Sequence, residues 1–137
     1  MNDRQVQQVI VMRRDLKDGM PRGKEIAQGA HAAMAWLTRR MQLLPPPAIG
    51  AGTVGIAILS DAERAWLEGS FAKITCQVPS LEDLLAVEKL ARKHNVECHV
   101  ITDAGRTVFR EATITCLAVG PDWKDLVDKV TGNLRLY

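Results

Sequence analysis

Four consecutive apolar residues, Val9-Ile10-Val11-Met12, constrain this chain more than any other stretch. A strand with one wet face alternates apolar and polar residues. An unbroken run belongs to a strand covered on both faces. Such a strand lies inside a sheet with other elements above and below it, which points to an α/β architecture. The first strand is predicted over 6–13. A polar turn from Asp15 to Arg22, containing Gly19 and Pro21, leads into a long helical pattern. That pattern stops at Pro45-Pro46-Pro47, since proline cannot continue a helix.

The Pro/Gly segment 45–60 reads as a loop or as the joint before another helix. Ser60 and Glu63 form a capping-box pattern and start a short helix through Trp66, ended by Gly69. Ala72 to Val78 alternates and is rich in β-formers, a second strand. Ser80 caps a helix from Leu81 to about His94, with Asn95 as its stop. Strands follow over 98–103 and 113–120, the latter closed by Gly120-Pro121-Asp122. A last helix covers about 123–130, and Leu134 to Tyr137 forms a tail. Helical crossovers join the first three strands, so parallel pairings are expected there, and the short link before the fourth permits an antiparallel pair. The prediction is a single domain over 1–137, a three-layer α/β/α sandwich on a four-stranded mixed sheet.

With 137 residues, 47% of them hydrophobic, the chain can fill one such core. A net charge of only +2 means that nucleic-acid contact must come from a local patch. Aromatic residues, at 4%, are too few for a platform that stacks bases. The three cysteines, Cys76, Cys98 and Cys116, fall inside predicted strands without a paired spacing and read as buried, reduced thiols. The start has no apolar signal core, and no run is long enough to span a bilayer, so the expected location is the cytoplasm.

On the long helix, at about 100° per residue, Ile26, Ala30, Ala33, Met34, Leu37 and Met41 gather on one side and are expected to face the core. Lys24, Gln28 and His31 fall on another stripe near the helix N-terminus, where unpaired N–H groups and the helix dipole favour anions. The plain reading of that stripe is a solvated polar face. Asp103 and Thr107 sit on the link after the third strand, and strand-end loops line the ligand crevice of open α/β sheets. Lys24 can then pair with Asp103, with hydroxyls from Thr107 and Thr115 alongside. Such a set can polarise a water, stabilise an oxyanion and fix a substrate. The competing reading makes Asp103-Ala104-Gly105 a turn, with Asp103 bonding backbone N–H groups and Gly105 at positive φ. Both readings stay open on spacing alone.

His94, Cys98 and His99 lie close together but lack a fourth ligand at a metal-site spacing. No Gly-rich phosphate loop and no Ser-His-Asp motif is present. Arg13, Arg14, Lys17, Arg22, Lys24, Arg39 and Arg40 concentrate in the first third, either as ordinary surface charge or as a strip that follows phosphates.

Five ordered stretches carry a resemblance: V-I-V-M-R-R-D-L-K, R-G-K-E-I-A-Q-G-A-H-A-A, I-T-D-A-G-R-T, T-I-T-C-L-A-V-G-P and L-V-D-K-V-T-G-N-L-R-L-Y. Together they resemble the archaeal/eukaryotic-type (type 2) peptidyl-tRNA hydrolase family, with only about 41–80 loosely matched. The resemblance implies a compact α/β sandwich, usually a homodimer. It implies hydrolysis of the ester between a peptide and the tRNA 3′ end, contacts to the acceptor stem, and no metal or organic cofactor. It marks Lys24, Asp103 and Thr107 as catalytic, with Gln28, His31, Thr115, Arg22 and Arg106 in support. The chain departs from the family pattern in the longer loop Asp18–Arg22, in Glu111-Ala112 where a Pro-Gly turn is usual, and in the segment 45–55. Two alternatives remain on the sequence: a non-catalytic tRNA- or protein-binding module on the same fold, and a hydrolase of a different acyl ester.

Overall fold

A computed structural model describes residues 4–16, 19–43, 59–106 and 108–137. The elements run β1 (Val6–Arg13), α1 (Arg22–Leu43), α2 (Asp61–Glu68), β2 (Lys73–Val78), α3 (Leu81–Lys93), β3 (Cys98–Asp103), β4 (Thr113–Trp123), α4 (Lys124–Thr131) and β5 (Arg135–Leu136). The strands form one mixed sheet in the order β3-β4-β1-β2-β5. β1 pairs parallel with β2 and antiparallel with β4, while β3 and β5 pair antiparallel with β4 and β2.

β1 is buried from Gln7 to Met12 and occupies the middle of the sheet, as its apolar run requires. Val9 and Val11 point into a core shared with Leu84, Val87 and Ala91 of α3 and Val127 and Val130 of α4. Ile10 and Met12 point the other way, into a core shared with Ala32 and Ala35 of α1. The predicted caps are present: Glu63 N–H donates to Ser60 Oγ at 3.1 Å and Asp83 N–H to Ser80 Oγ at 3.1 Å. Asn95, at φ 55°, stands just beyond the C-cap of α3. Burial pushes the Cys98 thiol up to about 12 and that of Cys116 to about 11, which keeps both inert. Among the described residues, no helix is long and apolar enough to cross a membrane. The Pro/Gly segment beyond Leu43 lies outside the described residues up to Ala57-Ile58.

Three expectations are corrected. The sheet has five strands rather than four, because Gln77 and Cys76 of β2 pair with Arg135 and Leu136 of the tail. A two-residue strand is too short to carry a periodicity that sequence can reveal. Second, β4 does not close at Gly120-Pro121-Asp122 but continues to Trp123. The register slips between Gln7 and Val9, and this irregularity takes up Pro121, which has no N–H for the ladder. Gly120 sits there at φ 84°, where a Cβ would stand 2.9 Å from the Gln7 carbonyl oxygen.

The third correction concerns the facing of α1. Ile26 is 73% and Met34 57% exposed. The residues turned inward are Glu25, Gln28, Gly29, Ala32, Ala35 and Trp36. The reason is close approach. A Cβ on Gly29 would already lie 3.9 Å from Ile10 Cγ2 and Met12 Cε. The sheet therefore admits the small-residue side of the helix, and the larger aliphatic side is left outward. α1 packs over β3, β4 and β1. Beside it, an apolar groove of about 650 Å³ is floored by Ile10 and Met12 and edged by Lys73, Thr75 and Tyr137. The helical cover on that face is thus partial, unlike the even layer of an ideal sandwich.

Candidate active site

The first turn of α1 and the end of β3 meet at one corner of the sheet. Lys24 Nζ donates to Asp103 Oδ1 at 2.6 Å across 79 positions of sequence. The two side chains are 16% and 9% exposed. One turn further along α1, Gln28 Nε2 donates to the same carboxylate oxygen at 3.3 Å. The Gln28 oxygen accepts the Thr115 hydroxyl of β4 at 2.6 Å. Gln28 is buried, and a buried amide must be satisfied at both ends. Its two bonds tie α1, β3 and β4 to one another around the carboxylate.

Asp103 Oδ2 accepts the Gly105 N–H at 2.9 Å. Gly105 lies at φ 78°, where a Cβ would come within 2.5 Å of the Glu111 backbone. The turn reading and the site reading of Asp103-Ala104-Gly105 are therefore one structure. The turn holds one oxygen, and the other faces the lysine. The Lys24 hydrogen bond, followed by the Gly105 amide, holds the Asp103 carboxyl below its ordinary value of 3.8, with a smaller contribution from the His31 charge. Asp103 is accordingly ionised at neutral pH. An ionised carboxylate accepts about four hydrogen bonds, and three are described here, so Oδ2 retains capacity to orient a water. An ammonium beside it is placed to neutralise charge that develops on a carbonyl oxygen.

The family model described as Peptidyl-tRNA hydrolase PTH2 matches residues 6–137. The chain belongs to this family. The peptidyl-tRNA hydrolase of Methanothermobacter thermautotrophicus is 35% identical over 132 residues, covering 96% of this chain and 99% of the relative. That of Metallosphaera sedula is 36% identical over 128 residues, covering 93% and 97%. That of Methanocaldococcus jannaschii is 33% identical, covering 93% and 96%.

The remaining expected site residues of this PTH2-family chain are placed unevenly. Thr107 lies outside the described residues. Thr115 is fully buried, and its hydroxyl is donated to the Gln28 oxygen. His31 is exposed on the helix beyond Gln28, and Arg106 is exposed just past the Asp103 turn. Arg22 lines the groove with Glu25 and Ile26, across the helix from Lys24.

Among the described residues of the basic strip, Arg22 and Arg39 are exposed, whereas others are engaged by protein groups. Arg13 bonds Asp15 and the Ile114 carbonyl, Arg14 bonds Glu25, and Arg40 bonds Glu63 and Glu97. Lys17 lies outside the described residues. Among the described residues, no group of three or more His, Cys, Asp or Glu converges as a metal site would require. Sequence reasoning passed over Glu25. An acidic residue in a first turn reads as a partner for the helix dipole. Its one signal was an angle of about 100° from Lys24, toward the sheet.

Proposed function

We propose that this chain hydrolyses the ester between a peptide and the 3′ end of tRNA, releasing free tRNA, in the cytoplasm and without a metal or organic cofactor. The observation that carries the reading is the 2.6 Å contact between Lys24 and Asp103, built from distant elements in a chain that belongs to the PTH2 family. Its curated relatives from three archaea are named peptidyl-tRNA hydrolase.

Asp103 orients a water through Oδ2. The water oxygen attacks the ester carbonyl carbon, and the oxygen that becomes negative is stabilised by Lys24. Collapse of the tetrahedral species breaks the acyl–oxygen bond, and the ribose oxygen leaves with a proton. A carboxylate held below its ordinary pKa is a weak base, so Asp103 chiefly positions the water and receives its proton only as the new bond forms. Gln28, fixed by Thr115, holds the carboxylate plane, and Thr107 contributes a hydroxyl to water or substrate. Arg22, Arg106 and His31 support the tRNA acceptor end, where phosphate contacts position the substrate without reading its sequence.

The test is a hydrolysis assay on N-blocked aminoacyl-tRNA beside free aminoacyl-tRNA. A free α-amine brings a second positive charge close to Lys24, so the blocked substrate is expected to turn over faster. Binding of both without turnover would leave the binding-module reading. Turnover of simple acyl esters but not of the tRNA substrate would reassign the acyl group.

The same proposal includes a homodimer. The outward side of α1, with Ile26 and Met34 exposed beside Ala30, is an apolar stripe flanked by the groove. Sedimentation at micromolar concentration is expected to give the dimer mass, and the double variant Ile26→Asp, Met34→Asp the monomer mass. A monomeric parent protein would remove the dimer from the proposal.

A further inference from the structure

We propose that Tyr137 and Arg14, by gripping Glu25 from the β2–β5 end of the sheet, position Lys24 for reaction. Lys24 and Glu25 are adjacent in the first turn of α1, so their side chains leave the helix about 100° apart. Lys24 reaches Asp103 at the end of β3, on one edge of the sheet. Glu25 reaches toward the opposite edge. One of its oxygens accepts from Arg14 and the other from the Tyr137 hydroxyl. Arg14 also donates to the Tyr137 oxygen at 2.7 Å and lies 4.4 Å from the centre of its ring.

Both gripping residues are anchored through their backbones to β2. Arg14 N–H donates to the Val78 carbonyl at 2.9 Å, and Tyr137 N–H to the Thr75 carbonyl at 3.0 Å. The Glu25 side chain is 9% exposed, so its charge is matched by this cluster and little by solvent. The turn being held is intrinsically weak. Gly23 is its second residue, and a Cβ there would meet nothing within 4 Å, so packing does not stiffen it. Two neighbouring side chains pulling toward opposite sheet edges set the rotation of this turn about the helix axis. That rotation decides where Lys24 Nζ stands. A displacement of about 1 Å from a distant change can cost up to 10²-fold in rate.

The inference rests on Lys24 and Asp103 being the reacting pair, and the experiment keeps the two claims apart. Tyr137→Phe keeps the ring over Arg14 and removes only the hydroxyl. Its kcat is expected to fall between about 5- and 50-fold with KM within about twofold, the pattern of an interaction felt in the transition state. The carbon-13 shift of the Asp103 carboxyl, followed against pH, should report a titration moved upward, because the Lys24 bond that chiefly depresses it is loosened. Glu25→Gln should act in the same direction on both readouts, and it carries the test should Tyr137→Phe melt early. A fall in kcat with the Asp103 titration unmoved marks a general structural effect and overturns the inference. So does unchanged kcat. Lys24→Ala is run in parallel: normal turnover there refutes the site assignment, whereas impaired Lys24→Ala beside normal Tyr137→Phe refutes the positioning role alone.

Discussion

Asp103→Asn lowers turnover by about two orders of magnitude or more, the scale of losing one electrostatic or acid–base contributor, while tRNA affinity stays close to that of the parent protein. Asparagine keeps the shape that accepts the Gly105 N–H at 2.9 Å, so the turn survives. It loses the charge that pairs with Lys24 and that, in the proposed mechanism, orients the water. Lys24→Ala costs turnover as well, and the double variant is little worse than the worse single one, because residues that act as a unit are not additive.

The acid limb of the rate profile provides the second readout. In the parent protein the Lys24 hydrogen bond and the Gly105 amide hold the Asp103 carboxyl below 3.8. For a depressed carboxyl, the stabilising pairing is present above the unfolded pKa and is lost as pH falls through the folded one. Turnover should therefore stay level through mildly acidic pH, and Lys24→Ala should bring the acid limb upward. Single-turnover rates on blocked aminoacyl-tRNA decide the matter. Near-normal rates in both single variants would mean that the site lies elsewhere.

Arg40→Met has the largest expected effect on stability. Arg40 donates to the two oxygens of Glu63 at 2.8 and 2.5 Å and also bonds Glu97. Glu63 is 3% exposed, and its Oε1 also accepts the Ser60 N–H that caps α2. Removing the arginine leaves a buried carboxylate without its countercharge, which costs about 3–5 kcal/mol, with the low end expected here because Arg40 keeps some solvent contact. In a chain of this size that is a fall in Tm of roughly 10 °C. Burial alone would raise the Glu97 pKa, but His99 and Arg40 outweigh it and the net shift is downward. The Glu97 pairing therefore stabilises the fold above the ordinary glutamate range and weakens as pH falls through the depressed value. Adding Glu63→Gln to Arg40→Met should recover part of the loss, since the unpaired charge is then gone. Thermal melts by circular dichroism test both, and a change under 2 °C for Arg40→Met would contradict the account.

Much of the fold was legible because it is written in local chemistry. The apolar run Val9–Met12 announced a strand covered on both faces, and Val6–Arg13 is that strand. Ser60, Ser80 and Asn95 announced helix ends through side-chain caps and a left-handed residue, all properties of a few neighbouring residues. The ordered motifs announced the family, and the placement of Asp103 on the link after the third strand, facing the start of the Lys24 helix, announced their pairing.

The packing of α1 was not legible. Its sequence offers two usable stripes, one of large aliphatic residues and one of Gly29, Ala32 and Ala35. Hydrophobicity favours the first and close approach to the sheet the second. Only the presence of Ile10 and Met12 across the interface decides for the small residues. The same choice buries Gln28 and turns an apparently solvated amide into the link between Asp103 and Thr115. It also turns Glu25 toward Arg14 and Tyr137, partners 11 and 112 positions away, which no local pattern can announce. Local sequence determines where the backbone coils and stops, because caps, turns and periodicity act over a few residues. Which side of a helix meets the sheet depends on the volume left by the facing strands, and that volume exists only once the chain has folded.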